Sequence, residues 1–290
     1  MVTTIGVTGA TGKLGSLVAQ RLSAAGADLR LIARSPGKQL PVPDADVRYA
    51  EYGDGQLFEA ATTGVDTLLL VSAMESELRV AEHTTAIDAA LAAGVRRIVY
   101  ISFQGAAPEA TFTFARDHWY TEQHIRQTGV EFTVLRDNNY QLHLPGLADP
   151  ETGVIRGPAG TGRVAAVAHE DIAEVATAVL LDGTLLPGEV RDVTGPQALT
   201  LAEVAGILSR HTGRTITYEP ESIPEAYASR AGYGAPEWMV AGWVTSYEAI
   251  ATGELAAVSD TVQAITGRLP ITFDRYLTDH PDILGTLSTS

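Results

Sequence analysis

The chain has 290 residues, of which 45% are hydrophobic and 19% are charged, a composition that excludes a disordered chain and suits one large domain or two unequal lobes. A net charge of −15 argues against a nucleic acid or an anionic membrane surface as partner. The chain has no cysteine, which excludes disulfides, thiol catalysis and zinc–thiolate sites.

The first predicted elements are a strand over residues 4–7 and a helix that begins near Leu14, joined by a glycine turn. This order is the context of a dinucleotide-binding loop. Gly9 permits the tight turn, Gly12 lets the backbone approach a pyrophosphate, and Gly15 lets the helix pack closely on the strand. The helix N-terminus offers free N–H groups to the phosphates. The predicted cofactor-binding residues of this loop are Gly9, Ala10, Thr11, Gly12, Lys13 and Leu14.

The second predicted strand, residues 29–33, ends at Arg34, and Lys38 follows four residues later. A site for NAD usually carries Asp or Glu near this point, to bind the ribose 2′-hydroxyl. An acid would repel the 2′-phosphate of NADP, whereas a guanidinium binds it bidentately. The missing acid and the two basic residues therefore favour NADP, with Arg34 and Lys38 as phosphate ligands. The alternative for Arg34 is a solvated surface arginine.

Two further strands are predicted, over residues 47–49 and 67–71. Glu51 follows the first of them, and a contact with the adenine of a cofactor is as well supported there as a position without any ligand contact. Asp54, three residues later, is typical of a helix N-cap. The second strand is apolar throughout, as expected of a central parallel strand that is buried on both faces. It ends in Ser72 and Ala73, small residues where the ribose and phosphates of a cofactor would pass.

The rest of the chain continues to alternate helices with strands. Helices are predicted over residues 80–93, 113–128, 172–181 (capped by residues 169–171), 200–211, 224–231, 238–252 and 260–266, and strands over residues 98–102, 130–135, 164–167 and 190–193. This alternation predicts an α/β fold, a Rossmann-type doubly wound parallel sheet with ligands at the carboxyl ends of its strands. Residues 1–140 with 164–194 would form the NADP-binding domain, and residues 141–163 with 195–290 a smaller, mostly helical substrate lobe.

Several motifs together resemble the atypical short-chain dehydrogenases/reductases of the NmrA-like group, in particular the branch of quinone and triphenylmethane reductases. They are the glycine loop, Ala33-Arg34-Ser35, residues 94–102, His118 with Glu122, residues 135–140, Thr194-Gly195-Pro196 and Gly267-Arg268. The resemblance covers nearly the whole chain. It implies an NADPH-dependent oxidoreductase, and Asn139, within one of these motifs, is included among the predicted cofactor contacts.

The resemblance also locates the candidate catalytic residues. Ordinary members of the superfamily carry Tyr-x-x-x-Lys four residues before a Glu. Aligned on Glu122, Phe114 holds the tyrosine position and His118 the lysine position, while Ser102 stands where the family has an active-site serine or threonine. A histidine here is typical of the quinone-reductase-like branch. The alternative for His118 is a hydrogen-bonded core histidine.

The missing tyrosine bears on the acceptor. Reduction of a plain ketone gives an alkoxide, which needs a well-placed proton donor. Reduction of a quinone gives a phenolate, whose conjugate acid has a pKa near ~10. We therefore expect direct hydride transfer to a planar aromatic acceptor, with His118 or water supplying the proton. The alternatives are an NADP-binding redox sensor without turnover and a biosynthetic ketoreductase for a polycyclic aromatic ketone.

The expected partner is thus a small aromatic substrate, bound by a monomer or a homodimer. No apolar stretch approaches the ~20 residues of a membrane span, and the first strand leaves no room for a signal peptide, so we expect a cytoplasmic protein. Aromatic residues of the segment after Asn139 are the candidate walls of the acceptor site: Tyr140, Tyr227, Tyr233, Trp238 and Trp243.

Overall fold

A computed structural model describes residues 3–37 and 39–287. Its strands are β1 (Thr4–Thr8), β2 (Asp28–Ala33), β3 (Asp46–Tyr49), β4 (Thr67–Val71), β5 (Arg97–Phe103), β6 (Glu131–Asp137), β7 (Val154–Gly157), β8 (Arg163–Val164), β9 (Val190–Asp192), β10 (Leu199–Thr200) and β11 (Thr217–Pro220). Its helices are α1 (Lys13–Ala24), α2 (Gly55–Thr62), α3 (Arg79–Ala92), α4 (Thr113–Thr128), α5 (His169–Leu181), α6 (Leu201–Thr212), α7 (Ile223–Arg230), α8 (Glu237–Ala251), α9 (Thr261–Thr266) and α10 (Phe273–Asp279). Short 3₁₀ segments cover Gln141–His143, Pro145–Leu147, Ala231–Tyr233 and Pro281–Leu287.

Seven parallel strands form the main sheet, in the order β3-β2-β1-β4-β5-β6-β9. The chain winds outward from β1 to β3, returns to the other side of β1 at β4, and continues to β9. This reversal defines a doubly wound sheet, and it confirms the predicted Rossmann-type fold. The strands of this sheet lie within two residues of their predicted ends. The strand predicted over residues 164–167 is shorter, since β8 covers only Arg163–Val164 and pairs with β10 outside the main sheet.

Both faces of the sheet are covered by helices, which explains the unbroken apolar run in β4. Leu69 belongs to the cluster that packs under α1 and α5, with Val18 and Ile172. Leu68 and Leu70 point to the other face, into the cluster around Phe58 of α2. Side chains alternate along a strand, so a strand between two helical layers requires apolar residues at every position.

The C-terminal part of the chain builds a third apolar cluster and two small sheets, β10 with β8 and β11 with β7. Helices α6, α8 and α10 contribute to it, as do Phe103 and Ala115 from the first half of the chain. Strands β7, β10 and β11 and helix α10 were not predicted, because each is seven residues or shorter and carries too little periodicity. The boundaries of the two proposed domains stay a prediction.

Two helices begin close to their predicted starts, with different caps. Helix α6 begins with a capping box, since the Thr200 side chain accepts from the N–H of Glu203 and the Glu203 side chain accepts from the N–H of Thr200. The predicted cap at residues 169–171 is wrong. Helix α5 begins at His169 with Ala168 at the N-cap, so Glu170 and Asp171 lie in the first turn. Acidic residues there face the positive end of the helix dipole.

No helix within residues 3–37 and 39–287 is long and apolar enough to cross a membrane.

Candidate active site

The glycine loop leaves β1 in the backbone conformation that its sequence requires. Gly9 has a φ of +59°, and the N–H of Gly12 donates to the Gly9 carbonyl oxygen at 2.8 Å. A Cβ at Gly15 would lie 2.3 Å from that same oxygen, so any side chain there would push α1 away from β1. The loop is therefore a tight turn with a helix packed directly against it.

The N-terminus of α1 is suited to an anion. Gly12 is the N-cap and provides no side-chain cap, and the first turn holds no acidic residue. Lys13 stands at the first helical position, where a positive charge opposes the helix dipole unless an anion is bound nearby. The uncapped N–H groups and the lysine charge fit the pyrophosphate of a dinucleotide.

The predicted 2′-phosphate ligand, Arg34, follows directly after β2 and is exposed. Within the described part of the chain it forms no ion pair, so its guanidinium is available to a phosphate. Lys38 lies outside the described residues. Glu51 is exposed after β3, while Asp54 caps α2 as predicted, its carboxylate accepting from the Leu57 N–H at 3.0 Å.

Two residues that the sequence did not single out hold the neighbouring strand ends in place. The Tyr52 hydroxyl lies 2.5 Å from Oγ1 of Thr8 and 2.6 Å from the carbonyl oxygen of Val71, and so joins the ends of β1 and β4. The ring of His83 supports the predicted contact residue Ala73, because its Nε2 accepts from the Ala73 N–H at 2.8 Å. Its Nδ1 lies 2.9 Å from Oγ1 of Thr121.

The hydrogen bonds of His83 determine its tautomer. Since Nε2 accepts, the proton lies on Nδ1 and is donated to Thr121. Burial, with the charge of Arg79, lowers the pKa of His83 to about 3. A neutral histidine therefore positions the loop that begins at Ser72, which is half-buried at the end of β4. The sequence could have pointed to His83, because it is a histidine on the helix that directly follows this loop.

His118 is buried on α4, with its Nδ1 2.9 Å from the Tyr100 hydroxyl. Burial lowers the pKa of His118 well below its ordinary value, and the charges of Arg79, His83 and Arg136 act in the same direction. The imidazole is therefore neutral at physiological pH. This environment agrees with the alternative interpretation of His118 as a hydrogen-bonded core histidine. A contact between His118 and a nicotinamide stays a prediction.

The hydroxyl of Ser102 belongs to a buried network. It donates to Oε1 of Glu122 at 2.6 Å, and Arg136 pairs with both carboxylate oxygens of Glu122 at 2.8 and 2.7 Å. Ser102 itself has no exposed surface. Its hydroxyl thus fixes the ends of β5 and β6 relative to α4, and its predicted catalytic role stays a prediction.

Phe114 is half-buried at the junction of α4 and α8. Its ring lies 5.8 Å from that of Trp238, and the far end of the ring faces Gly242, where an added Cβ would come within 2.2 Å of the Phe114 Cζ. A tyrosine at position 114 would therefore direct its hydroxyl at α8. Of the other candidate walls, Tyr233 contacts Trp243 at 6.0 Å between ring centroids, and Tyr227 is exposed.

The end of β6 carries a buried carboxyl group that the sequence did not single out. The Tyr140 hydroxyl donates to Oδ2 of Asp137 at 2.6 Å, and Asp137 is only 2% exposed. Burial raises the pKa of Asp137 to about 8, so this carboxyl is mostly protonated at neutral pH. The Tyr140 ring lies 4.2 Å from that of His169, whose pKa is lowered to about 4 by burial and by the charges of His143 and Lys13.

The predicted contact residue Asn139 is half-buried, and its backbone carbonyl accepts from the Val167 N–H at 2.9 Å. The Asn138 side chain fixes this turn from both sides. Its oxygen accepts from the Asn139 N–H at 2.6 Å, and its amide donates to the Leu255 carbonyl at 3.0 Å. The structure thus places the glycine loop, Arg34, Ala73, Ser102 and Asn139 at the carboxyl edge of one sheet.

Comparisons with known proteins agree with this arrangement. The chain matches the NmrA-like family over residues 1–262. It is 34% identical over 284 residues to the (4-alkanoyl-5-oxo-2,5-dihydrofuran-3-yl)methyl phosphate reductase of Streptomyces griseus, covering 95% of this chain and 97% of that one. An NADPH complex of the NADPH-dependent quinone oxidoreductase of Escherichia coli is similar with a TM-score of 0.86 and 30% identity, covering 95% of this chain and 99% of that one. The NADP(H) complex of Citrobacter sp. triphenylmethane reductase has a TM-score of 0.84 and 31% identity, with the same coverage.

Proposed function

The chain belongs to the NmrA-like family, and from this premise we propose that it is an NADPH-dependent oxidoreductase that transfers a hydride to a planar aromatic acceptor such as a quinone or a dye. Two similar structures carry names that specify a quinone and a triphenylmethane dye, and both contain NADP(H) or NADPH. A flat conjugated acceptor is what those two names share. It can be oriented against a cofactor ring by binding alone.

The geometry supports separate binding residues for the pyrophosphate and for the 2′-phosphate of the cofactor. The backbone of Gly9 to Leu14 and the side chain of Lys13 hold the pyrophosphate, and Arg34 holds the 2′-phosphate. The remaining proposed contacts are Lys38, Glu51, Ser72, Ala73 and Asn139. When bound, NADPH supplies the hydride, and these residues position it at the carboxyl edge.

The neutral state of His118 is the observation that carries the choice of acceptor. A buried imidazole with a strongly lowered pKa cannot act as an imidazolium acid near neutral pH. The site therefore suits an acceptor whose reduced form is a weak base. A phenolate, whose conjugate acid has a pKa near ~10, meets this condition, and an alkoxide does not. We propose that His118 orients Tyr100 and the wall of the site, that Ser102 fixes Glu122, and that Phe114 with Trp238 forms an apolar surface.

Water is the proposed source of the proton, since His118 is neutral and a phenolate product is a weak enough base to be protonated by solvent. The Tyr140 hydroxyl is already engaged as a donor to Oδ2 of Asp137 at 2.6 Å.

The test compares NADPH oxidation by 1,4-naphthoquinone and by cyclohexanone, in the wild type, in His118→Ala and in His124→Ala. His124 is the control because it lies on the same helix but pairs with Asp88 at the surface. We expect quinone reduction in all three and ketone reduction at background. His118→Ala should lower kcat/KM for the quinone by no more than ~100-fold.

Two results would contradict the proposal. Robust ketone reduction that collapses in His118→Ala would identify a ketoreductase with histidine as its acid. No oxidation of NADPH by any of a panel of quinones and dyes, with tight cofactor binding, would identify a redox sensor.

A further inference from the structure

Arg79 is a buried cation, and two of its three guanidinium nitrogens have no hydrogen-bond partner among the described residues. It opens α3, directly after the loop that leaves β4, and is only 3% exposed. Its Nε and Nη1 atoms have no hydrogen-bond partner among the residues that the structure describes. The facing carboxylate of Asp117 lies 3.9 Å from Nη1, beyond hydrogen-bond distance.

The charge of Arg79 acts on the buried groups near the carboxyl end of β6. Burial lowers the pKa values of His83 and His118, and the charge of Arg79 acts in the same direction. Burial raises the pKa values of Asp137 and Tyr140, and the charge of Arg79 opposes it. His83 and His118 stand on α3 and α4, whereas Asp137 ends β6 and Tyr140 follows it. Arg79 therefore lies among the elements that meet at the carboxyl end of β6, whereas Arg34 follows β2 on the other side of β1.

An arginine in this position favours a ligand with negative charge. Its guanidinium does not lose its proton in proteins, so burial cannot neutralise it as it neutralises a histidine. A buried charge without full partners is destabilising, and it is relieved when an anion binds. The planar fork of N–H groups matches the oxygen pairs of a carboxylate, a sulfonate or a phosphate.

We propose that Arg79 binds an anionic substituent of the acceptor, so that the protein prefers aromatic acceptors carrying a carboxylate, sulfonate or phosphate over neutral ones of the same ring system. Only the turnover experiment on this inference rests on the proposed function; the binding experiment does not. The pyrophosphate and the 2′-phosphate of the cofactor have their own partners in the α1 N-terminus, Lys13 and Arg34, which leaves Arg79 for the acceptor.

The variants are Arg79→Met, which keeps an unbranched apolar stem without the charged head, and Arg126→Met as the control. Arg126 lies in the last turn of α4 with its guanidinium over the Phe132 ring, so its loss removes one positive charge elsewhere. The acceptors are 1,4-naphthoquinone-2-sulfonate and 2-methyl-1,4-naphthoquinone. In Arg79→Met we expect kcat/KM for the sulfonate to fall roughly 10- to 100-fold, mainly through KM, as for a lost charge-assisted hydrogen bond. The neutral quinone and the control variant should change little.

A binding measurement makes the inference independent of turnover. Naphthalene-2-sulfonate, which is not reduced, should raise the Tm of the NADP⁺-loaded wild type but not that of Arg79→Met, and naphthalene-2-sulfonamide should raise neither. Without ligand, Arg79→Met should be at least as stable as the wild type, because a buried charge whose Nε and Nη1 lack hydrogen-bond partners has been removed, and its distant ion-pair partner Asp117 is partly exposed.

Three results would overturn the proposal. A lower Tm of Arg79→Met, with equal losses for both quinones, would show a structural role. Weaker NADPH binding with an unchanged preference between the quinones would assign Arg79 to the cofactor. Equal binding of the sulfonate and the sulfonamide by the wild type would exclude an anion site. If no acceptor is turned over, the proposed function fails while the binding measurement still decides the role of Arg79.

Discussion

Replacing Asp137 by Asn should abolish a loss of stability that the wild type shows above neutral pH. The folded protein holds the Asp137 proton up to a pKa of about 8, whereas the ordinary pKa of an aspartic acid side chain is 3.8. Between these values the folded state binds more protons than the unfolded state, so stability falls as pH rises. Each pH unit in this window costs about 1.4 kcal/mol, which amounts to roughly 2 kcal/mol between pH 6.5 and pH 8.

The same reasoning gives the opposite sign at acidic pH. The pKa values of His83 and His169 are lowered to about 3 and about 4, so protonation of the unfolded state reduces stability as pH falls below about 6.5. Over the lower part of the interval from pH 6.5 to pH 8 these histidines still lose protons in the unfolded state, which raises stability equally in the wild type and in Asp137→Asn. The difference in stability between the two proteins therefore isolates Asp137.

The assay is urea unfolding, followed by tryptophan fluorescence, at pH 6.5, 7, 7.5 and 8. In Asp137→Asn the amide oxygen still accepts from the Tyr140 hydroxyl but does not titrate, so the free energy of unfolding of the wild type should fall by roughly 2 kcal/mol relative to that of the variant over this interval. Asp44→Asn, an exposed carboxylate in the loop between β2 and β3, is the control and should keep the wild-type pH dependence. A wild type whose stability does not fall relative to Asp137→Asn would refute the claim that burial keeps this carboxyl protonated.

Two further substitutions test the cofactor half of the site. Arg34→Ser should weaken NADPH binding by about 2 kcal/mol, the size of a hydrogen bond to a charged group, and should leave NADH binding nearly unchanged. The control Arg21→Ser, at the other end of α1, should affect the binding of neither cofactor. Equal losses for NADPH and NADH in Arg34→Ser would reject the assignment of Arg34. Gly15→Ala should destabilise the fold by about 1–3 kcal/mol in thermal unfolding, because its Cβ would lie 2.3 Å from the Gly9 carbonyl oxygen. Gly206→Ala in α6, where an added Cβ has no atom within 4 Å, should instead stabilise it by about 0.5–1 kcal/mol, and similar effects at both positions would contradict the packing argument.

The sequence by itself determined the order of the main-sheet strands and of the helices that cover them, and the place of the cofactor loop. These follow from short-range rules: the periodicity of apolar residues, the conformational freedom of Gly9, and the capping box of Thr200 with Glu203. The doubly wound topology followed from the alternation of elements, because parallel neighbours need helical crossovers of one hand.

Only the tertiary structure decided the protonation states and the hydrogen-bond partners of the buried polar groups near the carboxyl edge of the sheet. Arg79 and His83 lie four residues apart on α3, far from Asp137 in the sequence, and the residues around each do not show its burial or protonation state. Their charges depend on desolvation and on partners brought from other elements, such as Thr121 for His83 and Tyr140 for Asp137. The same holds for Phe114, whose ring meets Gly242 on a helix more than a hundred residues later. Periodicity reports which face of an element is buried, whereas a pKa or an unpartnered donor depends on the particular atoms that the fold places around it.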